Sequence, residues 1–296
     1  MTDSRVLVAG ATGQLGRVIT RQLLDAGVQV RALARNAAAL AAFAPRAEIA
    51  AVDMRDLQKL TEACRGVEQI VATANNNMGQ GANSPSRTDL GAYQNLCAAA
   101  RNTGVRRLVY VSYRGVAQDA AVDIFRIKWY IEDAIRRSGV PWVMLRPTAF
   151  MEIWIDQIVG RGIRDRRVAT LFGDGNAVAN YIAVEDVAEF AVKILARPEI
   201  VNEVIDIGGP SNLSQNDVAA IVERRFKSGG KRRHIPVAAM RLLAPIVKPF
   251  NEVAARMMTL GLYSATARPF PGWQAAAERF GVAPRSVETY VEQMKD

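Results

Sequence analysis

The chain has 296 residues, 50% of them apolar and 23% charged, with a formal net charge of +9, two cysteines and one histidine. Such a chain is long and apolar enough to bury a core, is neither disordered nor fibrous, and has no apolar run near the ~20 residues of a membrane span. One imidazole and two thiols exclude zinc sites built on several histidines or four cysteines, and leave only His234 as the base of a Ser-His-Asp hydrolase.

Residues 1–150 hold 19 basic against 12 acidic side chains, while residues 151–296 hold 19 against 17. A basic surface is the footprint of nucleic-acid binding. No recognition motif accompanies it, so nucleic acid is not the expected partner. The chain runs directly into a strand-like segment at residues 5–9 with no signal-peptide pattern before it, which predicts a cytoplasmic protein with Cys64 and Cys97 reduced.

Taken in chain order, short β-branched runs at residues 5–9, 28–34, 48–52, 68–73, 107–112 and 142–146 alternate with amphipathic stretches at 17–26, 56–65, 90–103 and 123–138. Most of the strands are apolar on both faces, as in a parallel sheet covered by helices on each side. The pattern predicts an α/β chain with a Rossmann-type doubly wound parallel sheet. A further strand at 204–207, ending in Gly208-Gly209-Pro210, is expected to complete it. After Pro147 the beat becomes irregular, and residues 148–183 read as loop-rich around Gly173-Asp174-Gly175-Asn176. Ser214 and Asp217 form a capping pair for a helix at 215–226. Ser228-Gly229-Gly230 breaks the chain, and His234, after Lys231-Arg232-Arg233, reads as a surface or strand residue. From Pro236 onward the pattern is helical, interrupted at Pro245 and Pro249.

The most informative segment is Gly10-Ala11-Thr12-Gly13-Gln14-Leu15-Gly16, between the first strand and the first helix. Glycine permits a tight turn and close backbone approach, and free N–H groups at a helix start attract negative charge. This is the chemistry of a dinucleotide pyrophosphate site. The G-x-x-G-x-x-G spacing resembles the extended and atypical short-chain dehydrogenase/reductase superfamily. The likeness narrows to its NmrA-like, NAD(P)-binding group on Val30-Arg31-Ala32-Leu33-Ala34-Arg35-Asn36, Ala51-Val52-Asp53-Met54-Arg55-Asp56, Leu145-Arg146-Pro147-Thr148-Ala149-Phe150 and Tyr181-Ile182-Ala183-Val184-Glu185-Asp186-Val187-Ala188. The expected organisation is an NAD(P)-binding domain over 1–150, completed by about 180–210, with a smaller, mostly helical substrate region from 151–179 and 211–296.

The cofactor is expected to be NADP(H). An NAD-specific site places an acidic residue about 20 positions beyond the glycines, whereas here Arg35 occupies that region, and a guanidinium suits a 2′-phosphate. A solvated strand-end arginine is the alternative. The resemblance places Asp53 on the adenine side, and Met54 beside it is expected to be cofactor-binding. Thr73, Ala74 and Asn75 end the fourth strand, at the crevice where an open sheet receives its ligand; Asp53 and Asn75 are also ordinary turn formers.

Short-chain dehydrogenases usually pair a serine with Tyr-x-x-x-Lys. Lys128 has the lysine's place, but the position four before it is Ile124, so the usual proton donor is missing. Lys128 lies within the apolar stripe Ile124, Ile127, Ile131 and Ile135, where a charge needs an anion or an acceptor; a snorkelling lysine is the alternative. Its expected role is to hold the nicotinamide ribose hydroxyls. Tyr113, beside Ser112, is a substitute proton donor. Pro147 and Phe150 are expected to wall the nicotinamide ring, with Thr148 at the rim. Met240, Phe250, Met257, Met258 and Tyr263 read either as an apolar substrate pocket or as core. The basic clusters at 161–167 and 231–233 read as solvated faces.

These readings imply an NADPH-dependent oxidoreductase that passes hydride to an apolar or aromatic small molecule such as a quinone or enone, whose reduced form solvent can protonate. The alternative is a non-catalytic NADP(H)-binding redox sensor or assembly factor of the NmrA type. A homodimer or a protein partner is compatible with either.

Overall fold

The computed structural model describes residues 5–166, 168–228 and 231–294, apart from the side chain of Arg166. Arg167 of the basic cluster and Gly229-Gly230 of the expected chain break lie outside the described residues. Strands and helices alternate through the first half: β1 (Arg5–Ala9), α1 (Gln14–Asp25), β2 (Gln29–Ala34), α2 (Ala37–Leu40), β3 (Glu48–Ala51), α3 (Leu57–Cys64), β4 (Gln69–Ala72), α4 (Pro85–Asn102), β5 (Arg107–Val111), α5 (Asp123–Arg136) and β6 (Trp142–Pro147). There follow β7 (Ala149–Phe150), a π-helix (Glu152–Gly160), α6 (Arg161–Arg166), β8 (Val168–Phe172), β9 (Val178–Ile182), α7 (Val184–Leu195), β10 (Glu203–Ile207), β11 (Asn212–Ser214), α8 (Gln215–Arg225), β12 (Lys231–Ile235), α9 (Val237–Val247), α10 (Glu252–Ala265), α11 (Trp273–Phe280) and α12 (Val287–Glu292). Among the described residues no helix is long and apolar enough to cross a membrane.

The chain divides into two compact units, one of residues 1–146 and 187–205, the other of residues 147–186 and 206–296. The main sheet has seven strands in the order β10-β6-β5-β4-β1-β2-β3, and the pairings among β1 to β6 are parallel. This is the doubly wound arrangement expected from the alternating pattern, with β10 as its completing edge strand. The chain reverses its direction of travel across the sheet between β1 and β4, and crevices for ligands open at such switch points.

Alternation along the strands explains why the first unit holds together. Leu7, Ala9, Leu33, Ile70, Ala72, Leu108, Tyr110 and Met144 belong to one buried cluster with Leu60 of α3, Tyr93 and Leu96 of α4, and Ile131 and Ile135 of α5. On α1, Leu15, Val18, Ile19 and Leu23 recur at helical spacing and are buried. Arg107 is buried at the start of β5, where its guanidinium donates to Gln69 and to the carbonyls of Ile194, Leu195, Arg197 and Ile200, tying down the end of α7.

The second unit differs from the expectation over 148–183, which contains β7, the π-helix, α6, β8 and β9 rather than mainly loop. Its strands pair with distant partners: β8 with β12 in parallel, and β9 with β7 and β11. The core here joins Met151, Ile155 and Val159 of the π-helix region to Leu171, Tyr181, Val218, Val222, Val287 and Val291. Ser214 and Asp217 form the expected reciprocal cap of α8. His234 lies in β12 and is exposed, as the sequence suggests.

Candidate active site

The Gly10–Gly16 turn leaves the C-terminal end of β1 and enters α1. Gly10 has φ +94°, and a Cβ there would stand 2.7 Å from the backbone nitrogen of Ala74. A Cβ on Gly16 would collide with the Gly10 carbonyl oxygen. Both glycines are therefore required by close backbone approach. The N–H groups of Gly10 and Ala11 donate to Leu33 O at 2.9 and 3.1 Å, and that of Gly13 to Gly10 O at 3.0 Å. Gly13 caps α1 without a side-chain bond, and the first turn contains no acidic residue. The amides of Gln14, Leu15 and Gly16 thus head an uncapped helix of 12 residues, a natural place for a phosphate. Ala11 and Leu15 are buried, Thr12 is half-buried, and Gly13 and Gln14 are exposed.

Thr73 and Ala74 lie against this turn. Their N–H groups both donate to Ala9 O, at 2.9 and 3.1 Å, and the Thr73 hydroxyl donates to the same oxygen at 3.2 Å. Asn75 is exposed, its amide turned back to Thr73 O. At the end of β2, Arg35 is exposed and forms no ion pair among the described residues. Asp53 is gripped by Arg55 through Nε at 3.0 Å and Nη2 at 2.6 Å. That contact, chiefly, holds the Asp53 carboxyl below the usual carboxylate range, and the Arg35 charge adds to the effect. Met54 has its side chain in the core, while its carbonyl accepts from Asn95 at 3.1 Å.

At the end of β5 stands a cluster that the sequence showed only in part. Lys128 is 5% exposed. Its Nζ donates to the Tyr110 hydroxyl at 3.0 Å and to Val111 O at 3.4 Å, and lies 4.8 Å from the ring centres of both Tyr110 and Tyr113. Burial pushes its pKa down to about 8, against the opposing charges of Asp89 and Glu132. The Tyr113 hydroxyl accepts from the Asn77 amide at 3.1 Å, and burial raises its pKa. The Tyr93 hydroxyl donates to Ala74 O at 2.7 Å, linking α4 to the β4 end. Ser112 is 1% exposed and its Oγ has no hydrogen-bond partner. Ile124 is buried, so an aliphatic side chain fills the place of the usual tyrosine.

Tyr110, Tyr93, Asp89 and Asn77 went unremarked in the sequence. Tyr110 looked like any other strand residue of β5, and Asp89 like a polar residue of α4; only packing puts them near Lys128. Pro147 ends β6 and Phe150 lies in β7; both belong to the second unit, as does Thr148, whose hydroxyl donates to Asn180 at 2.9 Å. Of the proposed C-terminal pocket, Met240 is core, Met257 and Met258 are half-buried, and Phe250 and Tyr263 are exposed. In the 161–167 cluster, Arg161 pairs with Asp165 and Arg164 with Asp156.

A family model described as NAD(P)H-binding matches residues 10–198. The chain belongs to that NAD(P)H-binding family. The resemblance to NmrA-like, atypical short-chain dehydrogenases is therefore borne out, and the chain falls in the oxidoreductase class. A (4-alkanoyl-5-oxo-2,5-dihydrofuran-3-yl)methyl phosphate reductase from Streptomyces griseus is 31% identical, with 93% of this chain and 99% of that protein covered. The photosystem II assembly factor Ycf39 of Cyanophora paradoxa is 28% identical over 80% of this chain and 73% of its own. Among solved structures, an NADPH-dependent quinone oxidoreductase from Escherichia coli superposes with a TM-score of 0.82 at 19% identity, covering 97% of this chain and 98% of that one, a likeness of fold. The residues here suit the family's cofactor on their own evidence: a cradle that Cβ atoms would fill, an uncapped helix N-terminus and the orphaned hydroxyl of Ser112.

Proposed function

We propose that the protein is an NADPH-dependent reductase whose acceptor is an apolar or aromatic electrophile such as a quinone or an enone. Bound NADPH supplies the hydride from nicotinamide C4. The amides at the start of α1 and the glycine turn receive the pyrophosphate, with Thr73 and Ala74 supporting the turn. Arg35 takes the 2′-phosphate, with charge-assisted bonds that an NADH ribose cannot return, and Asp53, Met54 and Asn75 border the adenosine half. Lys128 and Ser112 hold the nicotinamide ribose. Where the product needs a proton within the site, Tyr113 is assigned to give it, its oxygen held by the Asn77 amide.

The observation that carries this reading is Lys128, buried between two tyrosines while Ile124 replaces the usual donor. The site keeps the means to hold a cofactor and lacks the standard means to protonate an alkoxide. That combination suits acceptors whose reduced forms are resonance-stabilised anions, protonated readily by solvent. The alkanoyl-substituted oxo-dihydrofuran in the name of the Streptomyces relative is an acceptor of this electronic type. A second reading, a cofactor-binding regulator or assembly factor, draws support from the same loss of tyrosine and from the Cyanophora relative.

The test is to mix the purified protein with NADPH and a panel of quinones and enones and to follow cofactor absorbance. Oxidation of NADPH is the expected result. Tight binding of NADPH and NADP⁺ with no turnover across the panel would select the regulator reading, and failure to bind either cofactor would overturn both. In the same titration Arg35→Asp should weaken NADPH binding at least about tenfold while leaving NADH nearly unchanged. Equal losses would remove Arg35 from the 2′-phosphate.

A further inference from the structure

We propose that α9 and the turn into α10 are a docking surface for an anionic lipid bilayer. Leu242, Leu243, Ile246 and Phe250 are 67%, 42%, 55% and 88% exposed. Elsewhere among the described residues exposed large apolar side chains fall singly or, at Val201 and Val204, as one pair, but here four fall within nine residues. Leu242, Leu243 and Ile246 share one face of α9 by helical spacing. The opposite face already seats Met240 and Ala244 in the interior. The helix therefore carries two apolar stripes, one satisfied by packing and one presented to solvent. A contiguous outward patch of this kind marks an interaction surface.

Charge selects the occupant. Residues 231–251 contain Lys231, Arg232, Arg233, Arg241 and Lys248 and not one acidic side chain. Arg232 is engaged with Glu223, but Arg241 and Lys248 are exposed and form no ion pair among the described residues. By helical spacing both lie along one side of the apolar stripe, Arg241 just before it in the chain and Lys248 just after it, and Phe250 follows two residues beyond Lys248. An in-plane helix with apolar residues facing the acyl boundary and lysine or arginine stems reaching lipid phosphates has this distribution. Symmetrical packing on a second copy would instead bring like charges together around the patch. At 11 residues α9 is far too short to span a bilayer, so the contact is interfacial.

The full chain should be sedimented with vesicles of phosphatidylcholine alone and of phosphatidylcholine mixed with phosphatidylglycerol. Expected is partition onto the mixed vesicles that weakens with salt. The double variant Ile246→Ser, Phe250→Ser should lose at least about tenfold in partition with an unchanged melting temperature, since both side chains are solvent-exposed. The variant Arg241→Gln, Lys248→Gln should lose the preference for anionic lipid. Absence of partition by the wild-type chain, or partition indifferent to the serine variant, would overturn the proposal. So would a concentration-dependent dimer abolished by the serine variant with no vesicle binding, which would assign the patch to a second copy.

Discussion

Lys128 makes the greatest electrostatic demand of any residue in the candidate site. An ammonium on the buried face of α5 stays charged only if acceptors surround it, and Tyr110 and Val111 O supply them. The need for a partner was legible from the isoleucine stripe alone, but its identity was not: the acceptor lies 18 residues away on a strand, and Asp89, which opposes the loss of charge, sits on a third element. The lowered pKa gives a signed expectation. Below about 8 the group is an ammonium and donates to ribose hydroxyls; above it the charge is lost. NADPH affinity measured by calorimetric titration should therefore fall as pH rises through about 8. Lys128→Met should bind more weakly and show no such dependence over that window. A wild-type profile in the variant would remove Lys128 from the cofactor site.

The β1–α1 junction shows how far an element can be read before its packing is known. Strand, glycine spacing and helix are adjacent in the chain, so the turn and its chemistry follow from local sequence. The collision that would befall a Cβ on Gly16, against the Gly10 carbonyl, appears only in the folded turn. Gly16→Ala should lower stability by about 1–3 kcal/mol in a denaturant melt and weaken NADPH binding. Gly27→Ala is the control: φ is +76° but nothing crowds the new methyl, so about 1 kcal/mol is lost with no change in affinity. The opposite case is residues 148–183. There β8 and β9 flank the turn signal Gly173-Asp174-Gly175-Asn176 yet pair not with each other but with strands distant in the chain, partners that no local pattern records.

At the scale of the whole molecule, stability depends on groups that only folding brings to burial. Glu152, in the second unit, is 9% exposed; its Oε1 accepts the Val184 N–H at 3.0 Å and its Oε2 has no partner. Burial, reinforced by the charges of Glu185 and Asp186, pushes its carboxyl up to about 7. The folded state therefore retains a proton that the unfolded chain releases near 4.5, and this group's contribution to stability falls as pH rises between those values. Glu152→Gln, which keeps the Val184 bond, should be more stable than wild type by up to about 3 kcal/mol near pH 8, with the gap closing near pH 5 in thermal or denaturant melts. The sequence by itself determined the α/β class, the doubly wound sheet and the phosphate-binding turn, because apolar periodicity, glycine spacing and helix-start chemistry act between near neighbours in the chain. Tertiary structure alone decided which tyrosine meets Lys128, which hydroxyl and which carboxyl oxygen are buried without a hydrogen bond, and which apolar stripe of α9 stays outside. Each of these is set by contacts between elements distant in sequence, where burial fixes the energy of a charge and no local pattern records it.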